Sequence, residues 1–220
     1  TQMAEEVGVD AVSILTPFFI QPNQNELIQF YTDIAKSTSL PILLYNNPGR
    51  TGVNLAAGTV AKLAEVDNII GIKDSSRDFP RFCTMLARIK PQRPDFVCFS
   101  GTEEILYPSL VMGGDGGTIA SSGVMPEVIT RLYQDFKAGR HDECRKVQLM
   151  IQDLIAAMFA AGNFPEGFRA AVSLRGFDPG PPRFPMSPGE TAALEQAKGR
   201  IACLLAECGY PEAARECELR

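Results

Sequence analysis

Short runs of apolar, often β-branched residues recur along the first 140 residues, separated by longer amphipathic stretches. The runs lack the apolar–polar alternation of a half-exposed strand, so each is typical of a strand buried on both faces. Strands that follow one another at this spacing are joined most simply as parallel strands through crossover helices. The predicted strands are Ala11–Thr16, Pro41–Tyr45, Ile69–Lys73, Phe96–Ser100 and Gly117–Ser121.

The stretches between the strands have the spacing of helices with one buried face. In Asn25–Ser37, residues Leu27, Phe30, Tyr31 and Ile34 fall at positions i, i+3, i+4 and i+7. The fold class is therefore α/β, either a doubly wound sheet or part of a (β/α)₈ barrel. Further helices are predicted at Leu55–Val66, Phe79–Ile89, Glu103–Met112 and Pro126–Ala138.

From about His141 onward the pattern changes to helices alone. We therefore divide the chain into an α/β region over residues 1–140 and a C-terminal helical region over residues 141–220. The helices predicted in the second region are Asp142–Ala161, Glu166–Arg175 and Pro188–Gly209.

Composition narrows the function classes. The net charge is −5 and no Lys/Arg cluster occurs, which argues against nucleic acid and anionic membrane surfaces as partners. No apolar run approaches the ~20 residues of a membrane span, and the amino end has no signal-peptide pattern, so a cytoplasmic protein is predicted. The six cysteines form no C-x-x-C pair and are expected to be reduced.

Active sites of parallel α/β folds lie at the carboxyl ends of the strands. Lys73 ends an apolar strand, where burial would lower its pKa and leave an amine able to attack a carbonyl. Tyr45 ends the neighbouring strand and would reach an imine on Lys73 to move protons. Arg50 offers a planar fork for a carboxylate. The alternatives stay open: a solvent-exposed lysine, a core tyrosine and a surface ion-pair arginine.

The positions of the remaining candidate residues argue against other kinds of catalytic or binding site. His141 is the only histidine and lies between two helices, which argues against a Ser-His-Asp or Cys-His nucleophile and a histidine metal site. Gly113–Gly117 precedes a strand and lacks the lysine of a phosphate loop, so it is interpreted as a turn. Asp74 and the Glu103-Glu104 pair are a weak signal for a cation, and the pair is more typical of a helix start.

Two linked segments, Tyr45-Asn-Asn-Pro-Gly-Arg-Thr-Gly52 and Ile69-Ile-Gly-Ile-Lys-Asp-Ser-Ser76, resemble the dihydrodipicolinate synthase / N-acetylneuraminate lyase family of class I aldolases. Ser100-Gly-Thr-Glu103 and Gly113-Gly-Asp-Gly116 support the resemblance, which spans nearly the whole chain. It implies a (β/α)₈ TIM barrel with a C-terminal helical bundle, assembled as a homodimer or homotetramer. The chain would supply strands four to eight, a partial barrel.

The resemblance also implies the chemistry. Lys73 matches the Schiff-base lysine and Tyr45 the proton-relay tyrosine, whereas Arg50, Thr118 and Gly101 match substrate-binding positions. The implied enzyme is a lyase that joins or cleaves a carbon–carbon bond between pyruvate, or another 2-oxo acid, and an aldehyde. The covalent imine on Lys73 makes a metal or organic cofactor unnecessary.

Departures from the family pattern qualify this expectation. Three βα units that precede this region in the family are absent from the sequence, so the lone chain is expected to be inactive. Phe19 stands where the synthases carry a tyrosine, and Gly123 where an asparagine is common. Both favour a sugar acid or other 2-oxo acid as substrate, whereas Arg50 favours a carboxylated acceptor. The alternatives are a keto-deoxy sugar acid dehydratase that uses the same imine and a non-catalytic barrel homologue.

Overall fold

The computed structural model describes residues 1–217, which form two compact units. The first is Thr1–Thr118 and the second begins at Ile119. The predicted boundary after residue 140 assigns the helix Pro126–Lys137 to the α/β region. In the structure this helix belongs to the second unit and packs on the next helix, His141–Ala160. The division predicted for the family fold stays a prediction.

The first unit is a parallel sheet with helices. Its strands are β1 (Val12–Leu15), β2 (Ile42–Asn46), β3 (Ile69–Asp74), β4 (Val97–Ser100) and β5 (Gly116–Gly117). Its helices are α1 (Gln2–Glu6), α2 (Gln24–Lys36), α3 (Pro48–Thr51), α4 (Ala57–Leu63), α5 (Phe79–Ile89) and α6 (Leu106–Val111), with a 3₁₀ helix at Glu103–Ile105.

The strand order decides between the two predicted architectures. Neighbours in the sheet follow chain order, β1-β2-β3-β4-β5, and every pair is parallel. A doubly wound sheet reverses its order at a switch point, whereas a barrel adds each strand beside the last. The α/β class is confirmed, and the order is that of a barrel segment.

Alternation along β2 separates a core face from a site face. Ile42 and Leu44 are completely buried, whereas Leu43 and Tyr45 are half-buried. The core cluster contains Ile42 and Leu44 together with side chains of α2, α4 and α5, so it lies between the sheet and these helices. Tyr45 consequently lies on the opposite face from the main hydrophobic core.

The fifth predicted strand is much shorter in the structure. Only Gly116 and Gly117 pair with β4, opposite Phe99 and Ser100. Residues 118–121 therefore lie beyond the strand, and the predicted strand Gly117–Ser121 is wrong over most of its length. The sequence Gly113–Gly117, interpreted as a turn, contains these two strand residues.

The second unit is helical. Its longer helices lie within two residues of the predicted bounds at each end, and a serine capping box starts the last of them, where the Ser187 side chain accepts from the Glu190 backbone N–H. The elements are α7 (Pro126–Lys137), α8 (His141–Ala160), α9 (Glu166–Leu174) and α10 (Pro188–Glu207), with 3₁₀ helices at Ala120–Gly123 and Pro211–Glu216.

One cysteine prediction is wrong. Cys203 in α10 forms a disulfide with Cys217, at the end of the following 3₁₀ helix. The two are 14 residues apart in sequence, with no motif to mark them, and they meet because the segment after α10 folds back along it. Cys83, Cys98, Cys144 and Cys208 are free thiols.

Candidate active site

Lys73 and Tyr45 meet at the carboxyl ends of two paired strands. They are direct register partners in the parallel pairing of β2 with β3. The Lys73 Nζ lies 4.3 Å from the centroid of the Tyr45 ring, and both side chains are half-buried. The spacing of the two strands thus places an amine against a phenol, as expected from the sequence.

The Tyr45 phenol is held by hydrogen bonds. Asn47 Nδ2 donates to the phenolic oxygen at 3.1 Å. Burial raises the pKa of the phenol, and the Asn47 hydrogen bond lowers it; the charge of Lys73 and hydrogen bonds with Lys73 and Ser75 lower it as well. The net pKa lies below the ordinary value of tyrosine, so this phenol gives up its proton more readily than a free one.

A buried ion pair lies beneath the site. Asp74 is 2% exposed and forms an ion pair with the guanidinium of Arg81, a residue of α5. Asp74 also accepts a hydrogen bond from the completely buried Asn46 at 2.8 Å and one from the Ser76 hydroxyl at 3.1 Å. These bonds tie the end of β2 to the end of β3. Asp74 therefore stabilises the ends of these strands. This agrees with the sequence, which indicated a cation site at Asp74 only weakly.

Gly101 lies where β4 leaves the sheet and comes very close to β3. Its backbone N–H donates to the Asp74 carbonyl at 2.7 Å. A Cβ at this position would overlap the Ser75 hydroxyl and lie 3.0 Å from the Asp74 carbonyl oxygen. Only glycine fits this approach without displacing a neighbour. Gly101 borders Ser75, which bonds the Tyr45 phenol, so the structure brings it next to the site.

Arg50 and Thr118 lie at the same edge of the sheet as the two central residues but are exposed. Arg50 is carried by α3, which follows β2 directly. Thr118 follows β5, and its backbone N–H donates to the Ser100 carbonyl at 2.8 Å. Their predicted roles in substrate binding, like that of Gly101, remain predictions.

The remaining candidates fall outside the site. Glu103 and Glu104 begin a 3₁₀ helix, as the alternative interpretation expected. His141 starts α8 and packs edge-on against Phe136, with ring centroids 5.9 Å apart. Within residues 1–217, no cluster of three or more potential metal-ligating residues occurs.

Comparison with known proteins agrees with this arrangement. The model of the dihydrodipicolinate synthetase family matches residues 1–203. A 4-hydroxy-tetrahydrodipicolinate synthase from Desulforudis audaxviator is 35% identical over 207 residues, which cover 94% of this chain and 68% of that protein. This chain belongs to the dihydrodipicolinate synthetase family. It spans about two thirds of the length of that relative.

Solved structures of the family share the fold. The crystal structure of dihydrodipicolinate synthase from Thermotoga maritima matches with a TM-score of 0.83 and 31% identity, over 95% of this chain and 70% of that one. YagE, a prophage protein of the family from E. coli K12, was solved in complex with pyruvate; it matches with a TM-score of 0.81 and 25% identity, over 95% and 70% of the chains.

These matches confirm the predicted family, the partial-barrel α/β fold and the class I aldolase-type lyase function. Among residues 1–217, none of the helices combines the length and apolarity that crossing a membrane requires.

Sequence reasoning missed two side chains that shape the site. Asn47 follows Tyr45 in the motif, but nothing in the sequence shows that its amide turns back onto the phenol. Arg81 lies within α5, and its pairing with Asp74 depends on how that helix packs. A signal was available for Arg81, because a buried acid at the end of an apolar strand requires a partner.

Proposed function

We propose that this family member is a pyruvate-linked class I aldolase or synthase in which Lys73 forms a Schiff base with pyruvate or another 2-oxo acid. The observation that carries the proposal is the Lys73 amine beside the Tyr45 phenol, on adjacent strand ends and on the face opposite the main core. The relative named 4-hydroxy-tetrahydrodipicolinate synthase and the pyruvate complex of YagE support it.

The first step builds the imine. The neutral Lys73 amine attacks the ketone carbon of the 2-oxo acid, forming a carbon–nitrogen bond while the carbonyl oxygen takes a proton. The resulting carbinolamine loses water and leaves a cationic iminium. Tyr45 supplies the proton to the departing oxygen, for which its lowered pKa suits it.

The second step makes or breaks the carbon–carbon bond. The iminium withdraws electrons from the adjacent carbon, which loses a proton to the Tyr45 phenolate and becomes an enamine. The enamine carbon attacks the aldehyde carbon, and the aldehyde oxygen takes a proton from the Tyr45 phenol. Water then hydrolyses the new iminium, which releases product and restores the amine. The iminium itself acts as the electron sink, so the proposal includes no metal or organic cofactor.

Substrate contacts are assigned to the exposed Arg50 and Thr118 and to the half-buried Gly101, around this pair. Arg50 would grip a carboxylate of the partner substrate with its planar fork. Thr118 and Gly101 would line the pocket of the 2-oxo acid. Replacement of Arg50 by Met should raise KM for a carboxylated aldehyde and leave imine formation unchanged.

A second candidate uses the same imine to dehydrate a keto-deoxy sugar acid. It is favoured by Phe19, which is 91% exposed and supplies no hydroxyl for a proton relay. Analysis of products by NMR separates the two, because an aldolase releases pyruvate and an aldehyde whereas a dehydratase retains the carbon chain.

We also propose a cytoplasmic homodimer or homotetramer. The exposed run Phe18, Phe19 and Ile20, in which 69%, 91% and 80% of the surface of each residue is accessible, is the surface that assembly would cover. Light scattering after size-exclusion chromatography measures the assembly state, and a monomer at micromolar concentration would contradict it.

Borohydride trapping tests the central proposal. Reduction of a complete protein, which carries the βα units that precede this region in the family, with sodium borohydride in the presence of pyruvate should attach the ketoacid to the peptide that contains Lys73, as read by mass spectrometry. Lys73→Arg should abolish the label, whereas Lys62→Arg, on the outer helix α4, should not change it. An unlabelled Lys73 in the folded complete protein would overturn the proposal and leave a non-catalytic barrel homologue.

A further inference from the structure

Asn47 occupies the N-cap of the short helix α3 but does not cap it with its side chain. Its backbone carbonyl makes the turn, because it accepts from the N–H groups of Arg50 and Thr51 at 3.0 and 3.1 Å. An asparagine in this position ordinarily turns its side-chain oxygen onto the backbone N–H groups of the first turn. The Asn47 side chain makes no such capping hydrogen bond.

A second asparagine in the chain shows the contrast. Asn23 is the N-cap of α2, and its side-chain oxygen accepts from the backbone N–H groups of Asn25 and Glu26 at 2.9 and 3.1 Å. The Asn47 amide instead donates to the Tyr45 phenolic oxygen at 3.1 Å. The same residue type thus stabilises a helix at one position and contacts the reactive pair at the other.

We propose that Asn47 is a positioning residue of the active site, whose amide holds the Tyr45 phenol beside Lys73 and presents an N–H to the phenolic oxygen. The link to catalysis rests on the proposed function, whereas the hydrogen bond stands on the geometry. Asn47 does not touch the substrate in this role and acts through Tyr45.

The direction of the hydrogen bond determines its effect. An N–H donor stabilises the phenolate, so Tyr45 releases its proton more readily to the oxygen that leaves the carbinolamine. The amide N–H is a donor only, so Asn47 does not compete with the substrate for the proton of Tyr45. The pKa of Tyr45 lies below its ordinary value, and the contribution of this hydrogen bond to that shift agrees with the assignment.

Substitution of Asn47 should leave the turn intact. The contacts that shape residues 47–51 use its carbonyl oxygen, which every residue has. The backbone at Asn47 has φ −142° and ψ 72°, a negative φ that does not require asparagine. Asn47→Ala removes the donor, and Asn47→Asp keeps the size while replacing the donor with a negative charge.

The test measures the titration of Tyr45 directly. Protein labelled with ¹³C at the tyrosine Cζ gives one NMR signal for each tyrosine, and Tyr45→Phe assigns the signal of Tyr45. We expect Asn47→Ala to raise the titration midpoint of Tyr45 by about one pH unit. Asn47→Asp should raise it further, because a carboxylate beside the phenolate repels it. Asn25→Ala, which removes an exposed amide on α2, is the matched control and should change nothing.

A rate measurement links the hydrogen bond to the reaction. The rate of borohydride-trapped imine formation, followed against pH, should fall in Asn47→Ala by about tenfold near neutrality, with its limb displaced in the same direction as the Tyr45 titration. An unshifted Tyr45 titration in both Asn47 variants would overturn the inference. If one variant does not fold, the other decides.

The two proposals fail in different ways. Absence of the pyruvate label on Lys73 in the wild-type protein contradicts the proposed function, while the Tyr45 titration still tests the hydrogen bond. A normal label on Lys73, combined with an unchanged Tyr45 titration in the variants, contradicts the role of Asn47 alone.

Discussion

A cation lies over a tyrosine ring in each of the two units, and the surroundings of the two pairs differ. In the first unit, the Lys73 Nζ is 4.3 Å from the Tyr45 ring centroid. In the second, the Arg175 guanidinium carbon is 3.9 Å from the Tyr210 centroid. The geometry of the two contacts is similar, so the contact alone does not indicate function.

The partners around each pair distinguish them. Arg175 donates to the Val124 carbonyl at 2.6 Å and pairs with Glu127 and Glu212, and the Tyr210 hydroxyl donates to Glu127 at 2.8 Å. Every polar group of this pair thus has a bonded partner. Burial and the hydrogen bond to Glu127 raise the pKa of Tyr210, which keeps it protonated.

The surroundings of Lys73 and Tyr45 differ from those of Arg175 and Tyr210 in both respects. In the described part of the chain Lys73 forms no salt bridge, and the pKa of Tyr45 is lowered by donors around its oxygen. A carboxylate bonded to the amine would occupy the nitrogen that attacks a carbonyl, so the lack of one suits a nucleophile. We conclude that a cation–tyrosine pair with saturated partners stabilises the fold, whereas one with donors around the phenol and no counter-ion on the amine is suited to chemistry.

The largest expected difference comes from removing each phenolic hydroxyl. Tyr45→Phe should slow trapped imine formation by about a hundredfold, because the proposed proton shuttle is lost. Tyr210→Phe should leave that rate unchanged and lower the free energy of unfolding by about 1 kcal/mol, the value of one hydrogen bond. Quenched-flow trapping and urea denaturation measure the two quantities. Equal trapping rates in both variants would remove the distinction between the pairs.

Removing the arginine of the second pair should cost stability and not activity. Arg175→Met leaves the Val124 carbonyl without its donor and breaks the ion pairs, so the free energy of unfolding should fall by about 2 kcal/mol. Arg131→Met removes an exposed arginine, 3.7 Å from Asp135, and should cost less than about 0.5 kcal/mol. Urea denaturation compares the variants. A loss of Lys73 labelling in a folded Arg175→Met protein would contradict a purely structural role.

A single methyl group at Gly101 tests how tightly the site edge is packed. Gly101→Ala should lower the free energy of unfolding by about 1–2 kcal/mol and reduce Lys73 labelling, because the added Cβ pushes on Ser75 and the Asp74 backbone. Gly123→Ala is the matched control, since no atom lies within 4 Å of a Cβ there. Thermal unfolding and borohydride labelling provide the measurements. Unchanged stability and labelling of Gly101→Ala would show that Ser75 and the Asp74 backbone move aside at little cost.

The smallest effect concerns acid stability of the second pair. The Arg175 hydrogen bond lowers the pKa of Glu127 to about 2, from an ordinary value of 4.5. A lowered carboxyl pKa stabilises the folded state above the ordinary value, and this contribution disappears as the pH falls from about 4.5 to 2. Because Glu127 is largely exposed, the effect should stay below about 1 kcal/mol. Glu127→Gln should flatten the decline in unfolding free energy over that range, and an unchanged slope would contradict the assignment.

Local patterns were enough to place the central pair. Apolar runs located β2 and β3, and parallel pairing then required their last residues to be neighbours, which the register of Tyr45 with Lys73 confirms. Helix Phe79–Ile89 has the predicted bounds, because Asp78 at its N-cap and proline in its first turn are strong local signals.

Features that depend on distant partners were not predictable in this way. The fifth strand ends after Gly117 because only two of its residues find partners on β4. The Cys203–Cys217 disulfide depends on the chain folding back after α10. The Asp74–Arg81 pair depends on the position of α5 against the sheet.

The order of residues along the chain therefore established the α/β class, the parallel strands and the residues that end them, since hydrophobic periodicity and helix caps act over a few neighbouring positions. Packing established which side chains meet those residues. Asn47 bonds the Tyr45 phenol instead of capping α3, and Arg81 neutralises Asp74, because a hydrogen bond or ion pair forms only when the folded backbone brings donor and acceptor within about 3 Å.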